Sequence, residues 1–238
     1  MNKNHKIKVS IVVPTYNESQ NVEQLASRIE NSIGDLYKYE IIFVDDNSPD
    51  GTGEVISALA KNKENISLIS RTGKLGLASA VVAGFNSAES EYLLMMDSDL
   101  SHDPAHLPAI IEALAENDIV IGSRTIKGGK TIGWPMRRVI SSKIATLIAR
   151  IILGLKTGDL TSGFAAFRRD TYLEVLPRLR PKGFKLVLEI LVKSTSETRV
   201  SEVPITFTDR LSGQSKFSIG EVILFFVQCF KLRLYKNK

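Results

Sequence analysis

A chain of 238 residues, 43% hydrophobic and 24% charged, has the composition of an ordered globular protein large enough for a full α/β core. Its single cysteine, Cys229, excludes a disulfide framework and a cysteine-based zinc site, and it suits a reducing compartment. The longest apolar run, Val222 to Val227, is too short to cross a bilayer, and the N-terminal segment is too short for a signal-peptide core.

The net charge of +5 divides unevenly. Residues 1–119 hold 9 Lys and Arg against 18 Asp and Glu, whereas residues 120–238 hold 22 against 8. An acidic half suits a metal-dependent site, and a basic half suits a polyanionic partner or an anionic membrane surface. The basic residues fall among apolar helices without the interleaved aromatics of a base-stacking surface, so no nucleic-acid partner is expected.

In chain order, the apolar runs Lys8–Val13, Glu40–Val44, Ile66–Ser70, Tyr92–Met96 and Asp118–Gly122 read as strands. Helical patterns near 19–33, 52–63, 77–88 and 104–116 alternate with them, which predicts a mainly parallel sheet flanked by helices. GSRTIKGGKTIGWP, by its glycines, reads as a loop. Arg137–Lys156 reads as a helix with an apolar stripe of Ile140, Ile144, Leu147, Ile148, Ile151 and Leu155, and Arg138 and Ser142 lie one turn apart on another face. A second amphipathic helix is expected at Ile219–Leu234, with Val222, Phe225, Phe226, Cys229 and Phe230 on one side. One domain spanning 1–238 is the simplest organisation, in an acidic half at 1–125 and a basic half at 126–238.

The chemistry concentrates at strand ends. In MMDSDL, residues 95–100, Asp97 and Asp99 follow an apolar strand, and ligands of α/β sheets sit beyond the carboxyl ends of strands. Residues i and i+2 of an extended segment share a face, so both carboxylates reach one place, where beside a diphosphate they suit Mg2+ or Mn2+. Asp45 and Asp46 end the second strand in VDDNSPDGT, and PTYNE ends the first. Asp46 and Glu18 are placed to hydrogen-bond a ribose or base, with Tyr16 along an aromatic base. His102 and His106 have the i, i+4 spacing of a helical zinc pair, but Pro104 starts the helix after His102 and no third ligand is evident.

PTYNE, VDDNSPDGT, RTGKLGLASA, MDSDL, GSR, the GGK–W–RR stretch, DLTSGFAAFRR and the DR…GQSKF ending together resemble polyprenyl-phosphate (dolichyl-phosphate) mannose synthases. These are inverting glycosyltransferases of the GT-A, Rossmann-like fold, and the similarity covers residues 8–218. The resemblance implies that Pro14, Tyr16, Glu18, Val44, Asp46 and Lys74 serve the nucleotide-sugar, and that Asp97, Ser98 and Asp99 bind donor and metal. It further implies Arg124, Arg210 and Lys216 on phosphates; Arg138 and Ser142, one turn apart beside the glycine-rich loop, are expected with Arg124 on the acceptor phosphate, and Asp97, Asp99 and Arg124 are the expected catalytic set. Ser101 stands where the family commonly places a glutamine in the metal shell, and this shorter side chain is expected to reach the metal directly or through a water. The implied reaction moves mannose from GDP-mannose to a polyprenyl phosphate at the cytoplasmic face of a membrane. Its helices bind that membrane peripherally or dock on a membrane-anchored partner. The alternatives are a glucosyltransferase using UDP-glucose on the same lipid, and an inactive nucleotide-sugar-binding subunit.

Overall fold

The computed structural model describes residues 8–181, 185–209 and 219–236, with side chains of the last segment from 225 to 235. The five expected strands form as β1 (Lys8–Thr15), β2 (Lys38–Asp45), β3 (Ile66–Ser70), β4 (Tyr92–Met95) and β5 (Ile119–Ser123). Their connecting helices are α1 (Val22–Ile33), α2 (Thr52–Asn62), α3 (Leu77–Ser87) and α4 (Leu107–Ala113), the last entered through a 3-10 turn at Pro104–His106. Asp103 caps that turn by accepting from the Ala105 amide at 3.0 Å, and proline needs no donor there.

The stretch read as a loop contains a strand, β6 (Lys130–Ile132), followed by α5 (Met136–Leu153). Then come β7 (Ala165–Arg168), α6 (Arg169–Val175), α7 (Leu186–Lys193), β8 (Val200–Pro204), β9 (Thr206–Thr208) and α8 (Ile219–Lys236). Seven strands form one sheet in the order β3-β2-β1-β4-β7-β5-β8. Every neighbouring pair is parallel except those that β7 makes with β4 and β5. β6 and β9 pair separately, Lys130 opposite Thr206.

Alternating strand residues fill two cores. Val9, Ile11, Val13, Ile41, Phe43, Leu94 and Val120 face one side, with α1 and α4. Val12, Ile42, Val44, Leu93, Met95, Ile119 and Phe167 face the other, where α3, α5, α7 and α8 pack. α3 sits so close that a Cβ on Gly84 would come 2.4 Å from Val12 Cγ1. Every residue of α7 is buried, including the ion-paired Glu189 and Lys193.

The apolar stripe of α5 does not face the core. Thr146, Ala149 and Leu153 are the buried residues of this helix, while Ile140, Ile144, Leu147, Ile148 and Ile151 are exposed and Leu155, beyond its end, packs on the core. The stripe expected on α8 is divided. Phe225 and Cys229 are buried, Phe226 is half-buried and Phe230 is exposed beside Leu234. Among the described residues, no helix is long and apolar enough to cross a membrane.

Candidate active site

Three strand ends converge. Asn17, Asn47 and Leu100 have φ of 62°, 58° and 61° and follow β1, β2 and β4; among the described residues no other non-glycine residue has positive φ. Asparagine adopts this region readily, leucine rarely, so the turn after β4 holds backbone strain at the candidate site. Ser98 Oγ donates to the Pro14 carbonyl at 3.1 Å, tying the β4 end to the β1 end.

Asp97 and Asp99 are half-buried on that turn. Asp99 accepts from the Ser101 amide at 3.0 Å. Beneath Asp97 lies Gly163, where a Cβ would stand 3.0 Å from each carboxylate oxygen. His102 is fully buried, its ring against Phe164 and Phe207. Its Nδ1 accepts from the Asp97 amide at 3.3 Å and lies 3.6 Å from Asp97 Oδ2. Burial pushes this imidazole down, against the opposing pull of Asp97 and Asp99, so the neutral ring carries its proton on Nε2. His106 serves another strand, its Nε2 accepting from the Thr206 amide at 3.0 Å.

The Ser101 hydroxyl is buried without a hydrogen-bond partner among the described residues. With the carboxylates of Asp97 and Asp99 it makes a set of hard oxygen donors of the kind Mg2+ or Mn2+ takes, the remaining positions being left to phosphate and water. Among the described residues no three His, Cys, Asp or Glu gather to hold a metal by themselves. The residues therefore fit a cation shared with a phosphorylated ligand.

Asp45 and Asp46 divide their work. Asp45 shapes its own turn by accepting from Thr15 Oγ1 at 3.2 Å and the Ser48 amide at 2.9 Å. Asp46, expected on ribose or base, is ion-paired with Arg71 and accepts from the Gly76 amide at 3.0 Å. That pair pins the 71–76 loop and places Lys74 Nζ 3.9 Å above the Tyr16 ring. The Glu18 carboxylate accepts from Asn21 Nδ2 at 2.6 Å at the start of α1. Val44 is fully buried and its side chain belongs to the core, so only its backbone borders the site.

Arg124 follows β5 and is held from behind. Its amide, Nε and one Nη donate to Asp159 at 3.1, 2.7 and 2.8 Å, and the same Nη donates to Thr161 Oγ1. Burial alone would raise the Asp159 carboxyl, but the Arg124 guanidinium and the amides of Arg124 and Thr161 reverse this and hold it below the usual range. Arg124, expected on phosphate, thus spends most of its fork inside the protein. The Asp159 loop is fixed in turn by Glu202 of β8, which accepts from the amides of Gly158 and Asp159 at 2.7 and 3.1 Å.

Trp134 links this centre to α5. Arg124 Cζ lies 5.5 Å from its ring and Arg138 Cζ 3.8 Å, while Phe207 packs edge-on at 5.6 Å. Arg138 also pairs with Asp209 at 3.3 Å. The indole N–H is buried with no hydrogen-bond partner among the described residues. Ser142 is half-buried one turn along α5, and Arg210 and Lys216 lie outside the described residues. Sequence reasoning gave no role to Asp159, Arg71 or Glu202, and it weighed His102 only as a zinc ligand. The faint signal for Asp159 was its place in DLTSG, a turn-forming sequence.

The chain is similar to known proteins along most of its length. A dolichol-phosphate mannosyltransferase of Pyrococcus furiosus is 41% identical over 98% of the chain, which spans 65% of that protein's length. An undecaprenyl-phosphate mannosyltransferase of Micrococcus luteus is 36% identical over 92% of each chain. Glucosyl-3-phosphoglycerate synthase of Mycobacterium tuberculosis, solved with Mn2+, UDP and its product, superposes with a TM-score of 0.69 at 20% identity, covering 98% of this chain and 81% of that one. A mannosyltransferase of Pyrobaculum calidifontis, solved with GDP-Man and Mn2+, gives 0.64 at 19% identity, covering 98% and 65%. These likenesses place the fold among GT-A glycosyltransferases. The sequence profile of glycosyl transferase family 2 matches residues 10–176, and the chain belongs to that family.

Proposed function

We propose that this chain transfers mannose from GDP-mannose to the phosphate of a polyprenol, with inversion at the anomeric carbon. The observation that carries this reading is similarity, over nearly all of this chain, to two enzymes named for mannose transfer onto polyprenyl phosphates. The donor sugar-nucleotide and the divalent cation are supported by the GDP-Man and Mn2+ bound to a neighbour of the same fold.

Asp97, Asp99 and, directly or through water, Ser101 would hold Mg2+ or Mn2+. When bound, such an ion supplies charge neutralisation to the departing diphosphate. Tyr16 and Glu18 border the nucleoside, with Lys74 over Tyr16 at the edge of the cleft. The acceptor phosphate carries about −1.5 to −2 charge at pH 7 and is already nucleophilic, so no protein base is needed. Its oxygen forms the new bond to the anomeric carbon as the bond to the nucleoside diphosphate breaks, from opposite faces. Arg138, Ser142 and the Trp134 indole N–H are the acceptor-side donors, and Arg124, braced by Asp159 and 5.5 Å from the Trp134 ring, offsets the negative charge.

The acceptor's phosphate lies at headgroup level, and the exposed apolar row of α5 supports a peripheral seat on the bilayer, with the cytoplasmic face as the side where sugar nucleotides are found. The test is incubation of the purified protein with labelled GDP-mannose or UDP-glucose and Mn2+, with and without polyprenyl phosphate. The expected product is a mannosyl lipid formed only when GDP-mannose, lipid and metal are together. Preferential use of UDP-glucose would transfer the reading to a glucosyltransferase, and no transfer from either donor would overturn it.

A further inference from the structure

A cavity of about 410 Å3 opens between α5 and the Gly158–Asp159 loop, with Thr125 and Ile126, which follow Arg124, in its wall. One face of α5 supplies Lys143, Thr146, Leu147 and Arg150, at i, i+3, i+4 and i+7, and Lys156 joins from beyond the helix end. Arg150 donates one Nη to the Lys156 carbonyl at 3.1 Å, which folds that segment back on the helix, and its Nε is buried with no partner among the described residues. The one carboxylate in the wall, Glu202, is committed to the amides of Gly158 and Asp159. Among the described residues none of Lys143, Arg150 and Lys156 has a carboxylate at ion-pair distance.

Three cations against the one Glu202 carboxylate leave this concavity net positive by two, and with a guanidinium N–H left over it matches a phosphate. Leu147 forms the rim and is 54% exposed, and it belongs to the same apolar row as Ile144 and Ile151. The ligand therefore has an anionic head and an apolar body. We propose that this cavity is a second anion site, which takes the phosphate headgroup of an anionic bilayer lipid and fixes how α5 lies on the surface. Its far wall is Arg150, roughly 18 Å along the helix from Arg138, while Lys143 adjoins Ser142 and Thr125 adjoins Arg124 at the acceptor side. The proposal rests on the reading of α5 as a membrane-seated helix.

The test compares the wild-type chain with Lys143→Gln/Arg150→Gln, which keeps the side-chain stems and removes both charges. Thermal melting checks that the variant folds, and Arg150→Lys alone serves as the charge-conserving control. Co-sedimentation uses phosphatidylcholine vesicles with and without phosphatidylglycerol, and calorimetry uses inorganic phosphate and soluble dihexanoyl-phosphatidylglycerol. The double variant is expected to bind phosphatidylglycerol in both forms roughly 30-fold more weakly, while keeping mannosyl transfer to detergent-dispersed acceptor. Unchanged phosphatidylglycerol binding would overturn the proposal, as would inorganic phosphate binding as tightly as the short-chain lipid. A raised KM for the acceptor with vesicle binding intact would return the cavity to the acceptor site. Wild-type binding of the short-chain lipid but of no vesicles would sink the membrane seat and leave the anion site standing; binding of neither would sink the site.

Discussion

Arg124 and Asp159 meet through three hydrogen bonds, and by them the turn after β5 is joined to the segment before β7. Both side chains are nearly inaccessible, 10% and 1% exposed. Breaking a buried pair by removing one charge strands the other, a loss of about 3–5 kcal/mol. Asp159→Asn should therefore lower stability by that order in urea unfolding. Adding Arg124→Met should recover part of it, because no lone guanidinium is then buried. A double-variant loss equal to the sum of the Asp159→Asn and Arg124→Met losses would show that the pair carries no coupling.

The same pair sets an acid limit. Asp159 is held below its ordinary carboxyl range in the folded chain, despite burial acting the other way. A depressed folded value contributes stability above the unfolded pKa of about 3.9 and loses it as pH falls through the folded value. The stability gap between wild type and Asp159→Asn should be full near neutrality and shrink below about pH 4. Urea midpoints across that range measure it, and a gap constant with pH would contradict the assignment.

Gly163→Ala tests the floor under Asp97 in the proposed metal site. The new methyl would press on both Asp97 oxygens at 3.0 Å. Displacing a reacting group by about 1 Å can lower turnover about 100-fold. We expect a fall of that order in kcat with a near-native melting temperature. Normal turnover would mean that Asp97 tolerates movement.

Asp99→Ala should abolish metal-dependent transfer while circular dichroism stays native, because the residue lies half-buried on a turn and outside both cores. Mn2+ binding in the presence of GDP, followed by electron paramagnetic resonance, should weaken in parallel. Full activity at ordinary Mn2+ would remove Asp99 from the ligand set.

Ile144→Glu/Ile151→Glu probes the outer face of α5. The two side chains are 52% and 73% exposed, so the fold should change by little, within about 0.5 kcal/mol per site. Vesicle association should drop at least tenfold, since seating a single isoleucine in an apolar phase is worth about 1.5–3 kcal/mol. Vesicle binding equal to wild type would leave that row without a bilayer role.

The first half of the sheet was legible because its strands are continuous apolar runs separated by periodic helices. Ile11, Phe43, Leu94 and their neighbours are buried on both faces, and that shows in composition alone. The second half was not. β8 is a half-exposed edge strand with no alternation, and Leu186–Lys193 is buried all round, so it lacks the stripe by which a helix is recognised. β7 has four residues and runs against its neighbours, which no local pattern announces. Asp97 and Asp99 stood out because carboxylates directly follow an apolar strand. Asp159 did not, since only the fold brings it to Arg124, 35 residues away. The stripe on α5 was readable as a pattern, but its facing was a tertiary fact.

The antiparallel pairing of β4 with β7 also acts as a ruler for insertions and deletions. Met95 lies opposite Ala165, so the residues just before β7 arrive beside those just after β4, and Gly163 meets Asp97. A register slip of two residues would keep every side chain on its proper face and both cores filled. It would also carry Gly163 about 6.6 Å along the strand, out of reach of the carboxylate. Even one residue gained or lost between Asp159 and Ala165 must either break the Arg124 clamp or shift the floor under Asp97.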